Sequence, residues 1–352
     1  MLFTSEQVSW GHPDKICDQI SDAIVTDCLK HDENSRVAAE CMIKDYNIII
    51  AGEVTSTHTP DYEELALGVL AKTGVAALYN YKVQVFISKQ SPDIAIGVDR
   101  DGAGDQGMMF GYATNETPEK MPLPFMLATK ALMFLKDIEE VRFENLLPDA
   151  KSQVTYDYDK RRIDTFLIST QHREYARNED VHSLAYAAMK MAAEQYGQNT
   201  DFKVLVNPTG RFVVGGSFGD SGLTGRKIVA DTYGGMCRVG GGAFSGKDPS
   251  KVDRSAAYMA RKVAKDIIRC GLAEKCEIQL AYAIGVPEPV SISVDCFGTN
   301  QENIKNVIVP YIRDNYDLTP KGIISFLDLK HVDYNEVSSY GHFGRISMPW
   351  ER

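Results

Sequence analysis

The segment from Gly240 to Arg254 places glycine, lysine and aspartate close together. It reads Gly-Gly-Gly-Ala-Phe-Ser-Gly-Lys-Asp-Pro-Ser-Lys-Val-Asp-Arg. Glycines let a backbone approach a ligand closely, and lysine ammonium groups are compact charges suited to phosphate oxygens. Asp248 and Asp253 add carboxylate oxygens of the kind that bind magnesium. The segment therefore predicts a loop for a metal-bound polyphosphate, with a plain solvent-exposed glycine turn as the alternative.

An ordinary P-loop is not expected here, although Gly241, Gly246 and Lys247 have nearly the right spacing. Asp248 stands where a serine or threonine would bind magnesium, and the motif has meaning only between a strand and a helix. Residues 236–239 are too short and too polar in their flanks to be that strand.

A second candidate is the turn His12-Pro13-Asp14-Lys15, which precedes a helical pattern. Free backbone N–H groups and the helix dipole favour anions at a helix start. His12 could donate to a phosphate there, and Asp14 could offer an oxygen to a metal ion. In the alternative interpretation Asp14 only caps the helix and His12 is a surface turn residue.

Further cations occur beside glycine, proline or aspartate. Lys151 follows Asp149, while Arg226 and Lys227 follow a glycine. Such groups belong either to an anion site or to an ordinary solvated face, since exposed charges are common and weakly held.

Two carboxylates and one aromatic ring complete the candidates. Glu40 and Glu53 fall in otherwise apolar segments, where a carboxylate is rarely buried unless it is paired or bound to metal. Phe212 is either a core residue or a platform on which a base could stack.

Composition limits the possible functions. The 352 residues suffice for two or three domains, and a net charge of −10 disfavours nucleic acid and anionic membranes as partners. Seven cysteines form no CxxC pair, and an odd number argues against a complete disulfide framework. With no signal-peptide pattern and no long apolar run, we expect a reduced, cytoplasmic, soluble protein.

Similar elements recur in each third of the chain and indicate three α/β units. Residues 90–107 have no periodicity and predict a long mobile loop. Either Asp253 or Ser250 could cap the helix that ends near Cys270. Helices are predicted at 16–24, 63–73, 124–136, 180–195, 253–270 and 301–315, and strands at 37–43, 47–55, 81–88, 154–158, 163–169, 203–206, 277–284 and 290–297.

Several long motifs together closely resemble the S-adenosylmethionine synthetase (methionine adenosyltransferase) family. The resemblance extends from the first residues to the Tyr340-Gly341-His342-Phe343-Gly344-Arg345 segment. It is carried by Gly11-His12-Pro13-Asp14-Lys15, Gly102-Ala103-Gly104-Asp105-Gln106-Gly107, Asp149-Ala150-Lys151-Ser152-Gln153, Gly219-Asp220-Ser221-Gly222-Leu223-Thr224-Gly225-Arg226-Lys227 and Gly241-Gly242-Ala243-Phe244-Ser245-Gly246-Lys247-Asp248.

The resemblance implies that methionine sulfur attacks C5′ of ATP and expels triphosphate, which is then hydrolysed to phosphate and diphosphate. A thioether needs no activating base, so the chemical difficulty is the charge on the leaving triphosphate, which fixed cations and Mg²⁺ can stabilise. Two other interpretations stay open: an ATP-dependent kinase or ligase, and a non-catalytic regulatory paralogue that keeps the fold.

Residue roles follow from the same resemblance. The catalytic positions are His12, Lys151, Arg226 and Lys247, and His12 would stabilise the leaving triphosphate. ATP would contact these four together with Asp149, Arg211, Phe212, Asp220, Lys227 and Ala243. Methionine would contact Glu53, Gln90, Asp105, Asp220 and Lys251, while Asp14 and Asp253 would bind Mg²⁺ (two ions per site) and Glu40 would bind K⁺.

The implied fold is α+β, with three intertwined α/β subdomains of similar βαβ-type build around a pseudo-threefold axis. We expect subdomains at 1–90, 108–217 and 218–352, with 91–107 as the active-site loop. The implied partners are ATP, methionine and a second copy of the chain, in a homodimer or a dimer of dimers with shared active sites. Two departures from the family pattern are Trp10, in place of an acidic residue, and a shortened 90–107 loop.

Overall fold

A computed structural model describes residues 1–75, 80–90, 102–141 and 145–352 of the chain. The strands are β1 Leu2–Val8, β2 Arg36–Lys44, β3 Asn47–Thr55, β4 Lys82–Ser88, β5 Gly107–Thr114, β6 Leu146–Asp157, β7 Arg162–His172, β8 Lys203–Val206, β9 Gly222–Leu223, β10 Lys275–Tyr282 and β11 Ser291–Asp295. The longer helices are α1 Pro13–His31, α2 Tyr62–Lys72, α3 Leu123–Val141, α4 Asn178–Gln195, α5 Val252–Arg269, α6 Val309–Asn315 and α7 Pro320–Phe326. Short helical turns occur at Gly216–Gly219, Ile228–Asp231, Ile304–Ile308, Leu329–His331, Tyr334–Glu336 and Pro349–Glu351.

The described strands form three sheets, and each sheet takes a strand from a distant part of the chain. Sheet A has the order β1-β6-β7-β8, sheet B the order β4-β3-β2-β9, and sheet C the order β11-β10-β5. The N-terminal strand β1 pairs with β6, β9 pairs with β2, and β5 pairs with β10, all antiparallel. The three units are therefore intertwined, as the family resemblance implies.

The same order of elements recurs along the chain. A helix is followed by two antiparallel strands, a second helix and a third strand in α1-β2-β3-α2-β4 and again in α3-β6-β7-α4-β8. The last strand is parallel to its neighbour in both units, and a parallel connection needs the intervening helix. The expected α+β class is confirmed.

Helix α5 packs directly on strand β5 because a glycine lies between them. A Cβ added at Gly111 would come within 2.0 Å of the Ala260 carbonyl carbon. The apolar stripe of alanine, valine and isoleucine predicted for helix α5 is buried. The predicted cap is wrong: Lys251 is the N-cap residue, and no side chain caps the helix. Asp253 is hydrogen-bonded to Lys247 instead.

Most predicted elements are present; several are longer than predicted, while β4 and β11 are shorter. The strands β1 and β5 were not predicted, and residues 301–315 form a π-helical turn before α6 rather than one helix. Most of the predicted loop 91–107 lies outside the described residues, which resume at Gly102. Within the described ranges, none of the helices is both long and apolar enough to cross a membrane.

Candidate active site

His12 lies at the start of helix α1 and is almost completely buried, with 2% of its surface exposed. The backbone N–H of Asp14 donates to His12 Nδ1 at 3.2 Å. Burial and the nearby Lys227 ammonium lower the pKa of His12 to about 3. The imidazole is therefore neutral near pH 7, and because Nδ1 accepts a hydrogen bond, its hydrogen is on Nε2. His12 thus presents an N–H donor.

Asp14 is a buried counterion for the cations of the 222–227 loop. Its Oδ2 accepts a hydrogen bond from Lys227 Nζ at 2.5 Å, and its Oδ1 accepts one from the Leu223 amide at 2.9 Å. Arg226 Nε lies 3.8 Å from Oδ1. Burial alone would raise the pKa of Asp14, but the bonds from Lys227 and Leu223 outweigh it and lower that pKa. His12, not Asp14, is the residue at the N-cap.

Asp149 brings a second carboxylate to the same region. Its Oδ2 accepts the Gly216 amide at 2.7 Å, while its buried Oδ1 has no hydrogen-bond partner among the described residues. Burial raises the pKa of Asp149 to about 6. The negative charges of Asp220 and Asp14 also raise this pKa, and the positive charge of Lys151 lowers it. A buried polar atom without a partner is rare, and a bound ligand or a water molecule is one means of satisfying it.

Three aspartates at four-residue spacing hold the two glycine-rich loops against helix α1. Asp14 and Asp18 accept backbone amides of the 222–227 loop at 2.9 and 2.8 Å, and Asp22 accepts an amide of the 245–247 segment at 3.1 Å. Residues four apart share one helix face. The helix therefore fixes both loops by the same means.

Asp18 and Asp22 were missed by the sequence reasoning. Asp22 forms a fully buried ion pair with Arg254, whose Nη1 lies 2.6 Å from Asp22 Oδ1. Asp18 pairs with the buried Lys15 at 2.6 Å. The signal in the sequence was the repeat of aspartate at positions 14, 18 and 22, which share one face of the helix.

The predicted phosphate loop is held by ion pairs of its own. Lys247 Nζ lies 2.5 Å from Asp253 Oδ2, and Lys251 Nζ lies 2.5 Å from Asp248 Oδ2. A Cβ added at Gly242 would lie 2.0 Å from the Asp253 carboxyl carbon. The glycine therefore permits the close approach that the sequence pattern indicates.

The two loops meet at a pair of small residues. A Cβ added at Gly225, which has a φ of +78°, would lie 2.5 Å from Ala243 Cβ. Lys247 also forms an isolated bridge with Ala38, on the edge of strand β2. The predicted phosphate loop is thus joined to the edge of sheet B.

Glu40 and Glu53 are both exposed, although the strand segments that carry them are otherwise largely apolar. Glu40 pairs with Ala51 and Glu53 with Ala38, and residues two apart on a strand share a face. The two carboxylates therefore lie on the same face of sheet B. Side chains alternate between the two faces along strand β2. Because Val37, Ala39 and Cys41 are buried on one face, Glu40 lies on the exposed face.

Arg211 and Phe212 lie next to strand β7. Arg211 is exposed and forms an ion pair with Glu174 at 2.9 Å. The Phe212 amide donates to His172 Nε2 at 3.0 Å, and its carbonyl accepts from the His172 amide at 2.9 Å. Phe212 is only half-buried, so the alternative that it is a core residue is not supported.

The remaining predicted positions lie at the two ends of the undescribed segment 91–101. The Gln90 amide donates to Thr55 Oγ1 at 3.1 Å, next to the strand that carries Glu53. The exposed Asp105 accepts the amide of Gln106 at 2.7 Å. Neither side chain is tied to another predicted site residue by these contacts.

Trp10 contacts a lysine side chain through the face of its ring. The Lys136 ammonium lies 4.1 Å from the centre of its ring, which is a cation–π contact. Its carbonyl accepts a hydrogen bond from Gln19 at 2.7 Å. The aromatic ring is thus held by helix α3.

Comparison with known proteins covers the whole chain. Residues 1–92, 100–212 and 214–352 match the N-terminal, central and C-terminal domains of S-adenosylmethionine synthetase. The chain belongs to the S-adenosylmethionine synthetase family. An S-adenosylmethionine synthase of Mesoplasma florum is 48% identical, over all of this chain and 97% of its own length. Those of Mycoplasma mycoides and Mycoplasma capricolum are each 49% identical, over all of this chain and 94% of their lengths.

Within this member of the family, the candidate residues form two sets. One set surrounds the start of α1 and contains His12, Asp14, Asp149, Lys151, Asp220, Arg226 and Lys227. The other lies on the exposed face and edge of sheet B and at the start of α5, and contains Glu40, Glu53, Lys247, Lys251 and Asp253. The first set places three cations and three aspartates around one neutral imidazole, and the cations suit an anionic ligand.

Proposed function

We propose that this protein synthesises S-adenosylmethionine from ATP and L-methionine, by attack of the methionine sulfur on C5′ of ATP. Triphosphate leaves and is hydrolysed to phosphate and diphosphate. The observation that carries the proposal is the full-length identity of 48–49% to S-adenosylmethionine synthases, and two of the expected cations, Lys151 and Lys227, lie close enough to His12 to act on its charge.

The chemistry asks the protein to stabilise charge rather than to activate a nucleophile. A neutral thioether attacks without loss of a proton, and the electron pair of the C5′–O bond goes to the triphosphate. The Nε2–H of His12 can donate to that oxygen, and fixed cations act strongly on charge that develops in a buried site. We assign Lys151, Arg226, Lys227 and Lys247 to the phosphate chain.

The carboxylates fit magnesium in their chemistry. Mg²⁺ is usually bound by one or two carboxylates together with phosphate oxygens, and Asp14 and Asp253 each adjoin a phosphate-binding lysine. When bound, Mg²⁺ would neutralise charge on the phosphate oxygens. Two such ions per site and a potassium ion at Glu40 are part of the proposal.

The other assignments concern substrate recognition. Glu53, Gln90, Asp105 and Lys251 would bind methionine, and Asp220 would contact both substrates. The free Oδ1 of Asp149 would accept a hydrogen bond from ATP. Adenine would stack on Phe212 beside Arg211, and the Ala243 backbone would approach the nucleotide.

We further propose that two copies of the chain share each active site, in a homodimer or a dimer of dimers. The face of sheet B that carries Glu40 and Glu53 also exposes Met42 and Phe86, which are 39% and 63% exposed. An exposed apolar face marks an interaction surface. If this face packs against a second copy of the chain, that copy lies next to Glu40 and Glu53.

We place the enzyme in the cytoplasm. All seven cysteines lie in the described ranges as free thiols, and six of them are buried. Free buried thiols suit a reducing compartment.

The test is one reaction with identified products. Purified protein is mixed with ATP, methionine, Mg²⁺ and K⁺, and the products are analysed by mass spectrometry and phosphate assay. We expect a sulfonium product with phosphate and diphosphate in equal amounts. ADP or AMP as product would indicate the kinase or ligase instead, and no turnover in the presence of bound ATP would indicate a non-catalytic paralogue.

A further inference from the structure

We propose that Asp27, His31 and His58 form a binding site for a divalent transition-metal ion such as Zn²⁺, distinct from the substrate site. Within the described ranges, these three side chains are the group whose ligand atoms lie within 4.8 Å of one another. Asp27 and His31 are in the last turns of α1, on the helix whose first turn carries Asp14. At 1.5 Å per residue, the two ends of that helix are roughly 25 Å apart.

The helix supplies two of the ligands from one face. Asp27 and His31 are four residues apart, so their side chains are neighbours on the helix surface. His31 Nδ1 lies 3.4 Å from Asp27 Oδ1 and 2.9 Å from the Asp27 carbonyl oxygen. His58 Nε2 lies 2.7 Å from Asp27 Oδ2. The carboxylate thus contacts both imidazoles, whose rings stack with their centres 4.1 Å apart.

The segment that carries His58 is fixed to the end of the same helix. Asp32, which follows α1, accepts the amide of Thr57 at 2.8 Å and the Thr57 hydroxyl at 3.0 Å. The His58 amide donates to Ser56 Oγ at 3.1 Å. His58 is therefore held in place by its backbone, so little ordering is needed before it binds an ion.

The hydrogen bonds define which nitrogen of each imidazole carries the hydrogen in the metal-free protein. A carbonyl oxygen only accepts, so the contact to the Asp27 carbonyl puts the His31 hydrogen on Nδ1, the nitrogen that lies beside the carboxylate. An ion bound by that nitrogen moves the hydrogen to Nε2. The contact to the Asp27 carboxylate puts a hydrogen on His58 Nε2. An ion that enters there moves that hydrogen to Nδ1, and the Nε2 lone pair and the carboxylate oxygen then bind the metal. No oxidant or co-reactant is required.

The ligand types favour Zn²⁺ over Mg²⁺. Imidazole nitrogens with one carboxylate suit zinc and related ions, whereas Mg²⁺ prefers oxygen ligands throughout. Side-chain exposures of 23% for Asp27, 28% for His58 and 49% for His31 leave the group reachable from solvent. It opens into a groove that Glu33, Asp61 and Glu64 also line. Water would complete the coordination of three protein ligands.

The experiment is calorimetric titration of the metal-free full-length protein with Zn²⁺, in excess Mg²⁺ to occupy oxygen-rich sites. Variants His31→Ala, His58→Ala and Asp27→Asn are compared with two controls. His331→Ala changes another histidine of the same groove, and His182→Ala changes an exposed histidine on α4. Co²⁺ binding is followed in parallel by its visible absorption, which reports on the ligands directly.

We expect one equivalent of Zn²⁺ that both controls retain. The three site variants should bind that equivalent at least about tenfold more weakly and should lose the Co²⁺ absorption. Unchanged binding in His31→Ala and His58→Ala, or equal losses in the control variants, would overturn the proposal and leave a hydrogen-bonded surface cluster. Should one site variant fail to fold, the exposed His31→Ala still decides, since its side chain is the least buried of the three.

Discussion

At the scale of single residues, Asp149 is expected to help bind ATP but to lower the stability of the free protein. Its buried Oδ1 has no hydrogen-bond partner among the described residues. Burial raises the pKa of Asp149 to about 6, well above the usual value for an aspartate. The native state therefore binds a proton more readily than the unfolded state, so this group lowers stability as the pH rises toward and past 6.

Asp149→Asn removes the buried charge and keeps the acceptor for the Gly216 amide. At pH 8 the free energy of unfolding should rise by about 3 kcal/mol, since each unit of pKa shift is worth about 1.4 kcal/mol. Near pH 4 the gain should be much smaller. The kcat/KM for ATP should fall at least about tenfold, because a charged hydrogen bond to ligand is lost. Urea denaturation at both pH values checks the first point, and an equal gain at both would contradict it.

Lys247 and Lys251 test whether neighbouring lysines have separate roles. Each has its own carboxylate partner, Asp253 and Asp248 respectively. Lys247→Ala should lower kcat for sulfonium formation and for triphosphate hydrolysis, because the phosphate chain loses a fixed charge. Lys251→Ala should mainly raise the KM for methionine. Steady-state kinetics with both substrates distinguish the two, and small equal changes in every constant would refute the assignments.

The sequence was sufficient to find residues whose chemistry is visible in their type. His12, Asp14 and the lysines of the 240–254 loop could be named because glycine, histidine and charge coincide there. The spacing of Asp18 and Asp22 from Asp14 places them on one helical face but does not show what they contact, since a buried aspartate that accepts backbone amides resembles any surface aspartate in sequence. Its role depends on a loop more than 200 residues away in the chain.

At the scale of elements, helix α1 and strand β9 must touch for the His12 region to form. A Cβ added at Gly222 would lie 2.2 Å from the Pro13 carbonyl oxygen and 2.8 Å from Ile43 Cγ2. The next residue, Leu223, donates its amide to Asp14. The position therefore requires glycine for close approach of the two backbones.

Gly222→Ala should push β9 away from the start of α1 and weaken the Leu223–Asp14 hydrogen bond. We expect loss of at least about 2 kcal/mol of stability, because a fixed backbone contact is overpacked, and a lower kcat. Gly68→Ala is the control: it lies in α2 with nothing within 4 Å of an added Cβ, so it should raise stability by about 0.5–1 kcal/mol. Thermal unfolding and activity are measured for both. A Gly222→Ala protein as stable and active as the wild type would show that the contact can relax.

Local pattern predicted the elements whose partners lie nearby in sequence. The β2–β3 hairpin and the helices α2, α4 and α5 follow from periodicity and turns. Strands β1 and β5 were missed because their partners, β6 and β10, lie more than 100 residues away. The face on which Glu40 lies depended likewise on register, which local composition does not specify.

At the scale of the whole molecule, the exposed face of sheet B makes a single chain an incomplete enzyme in our proposal. Phe86 pairs with Ala51, the residue opposite Glu40, so the exposed ring and the predicted ion ligand share one surface. A second copy that covers the ring would also approach the carboxylates. A change that dissociates the dimer should therefore also lower the activity.

Phe86→Glu places a charge in the middle of that face, where desolvating it on assembly would cost several kcal/mol. We expect a shift from dimer to monomer in analytical ultracentrifugation and a fall in kcat of at least about tenfold at low protein concentration. Activity should recover in part as the concentration of the variant rises, since mass action restores the dimer. The control is Ile346→Glu, because Ile346 is 82% exposed outside sheet B and should tolerate the charge. A monomeric variant with full activity would show that each chain holds a complete site. A dimer with wild-type activity would place the contact between chains on another surface.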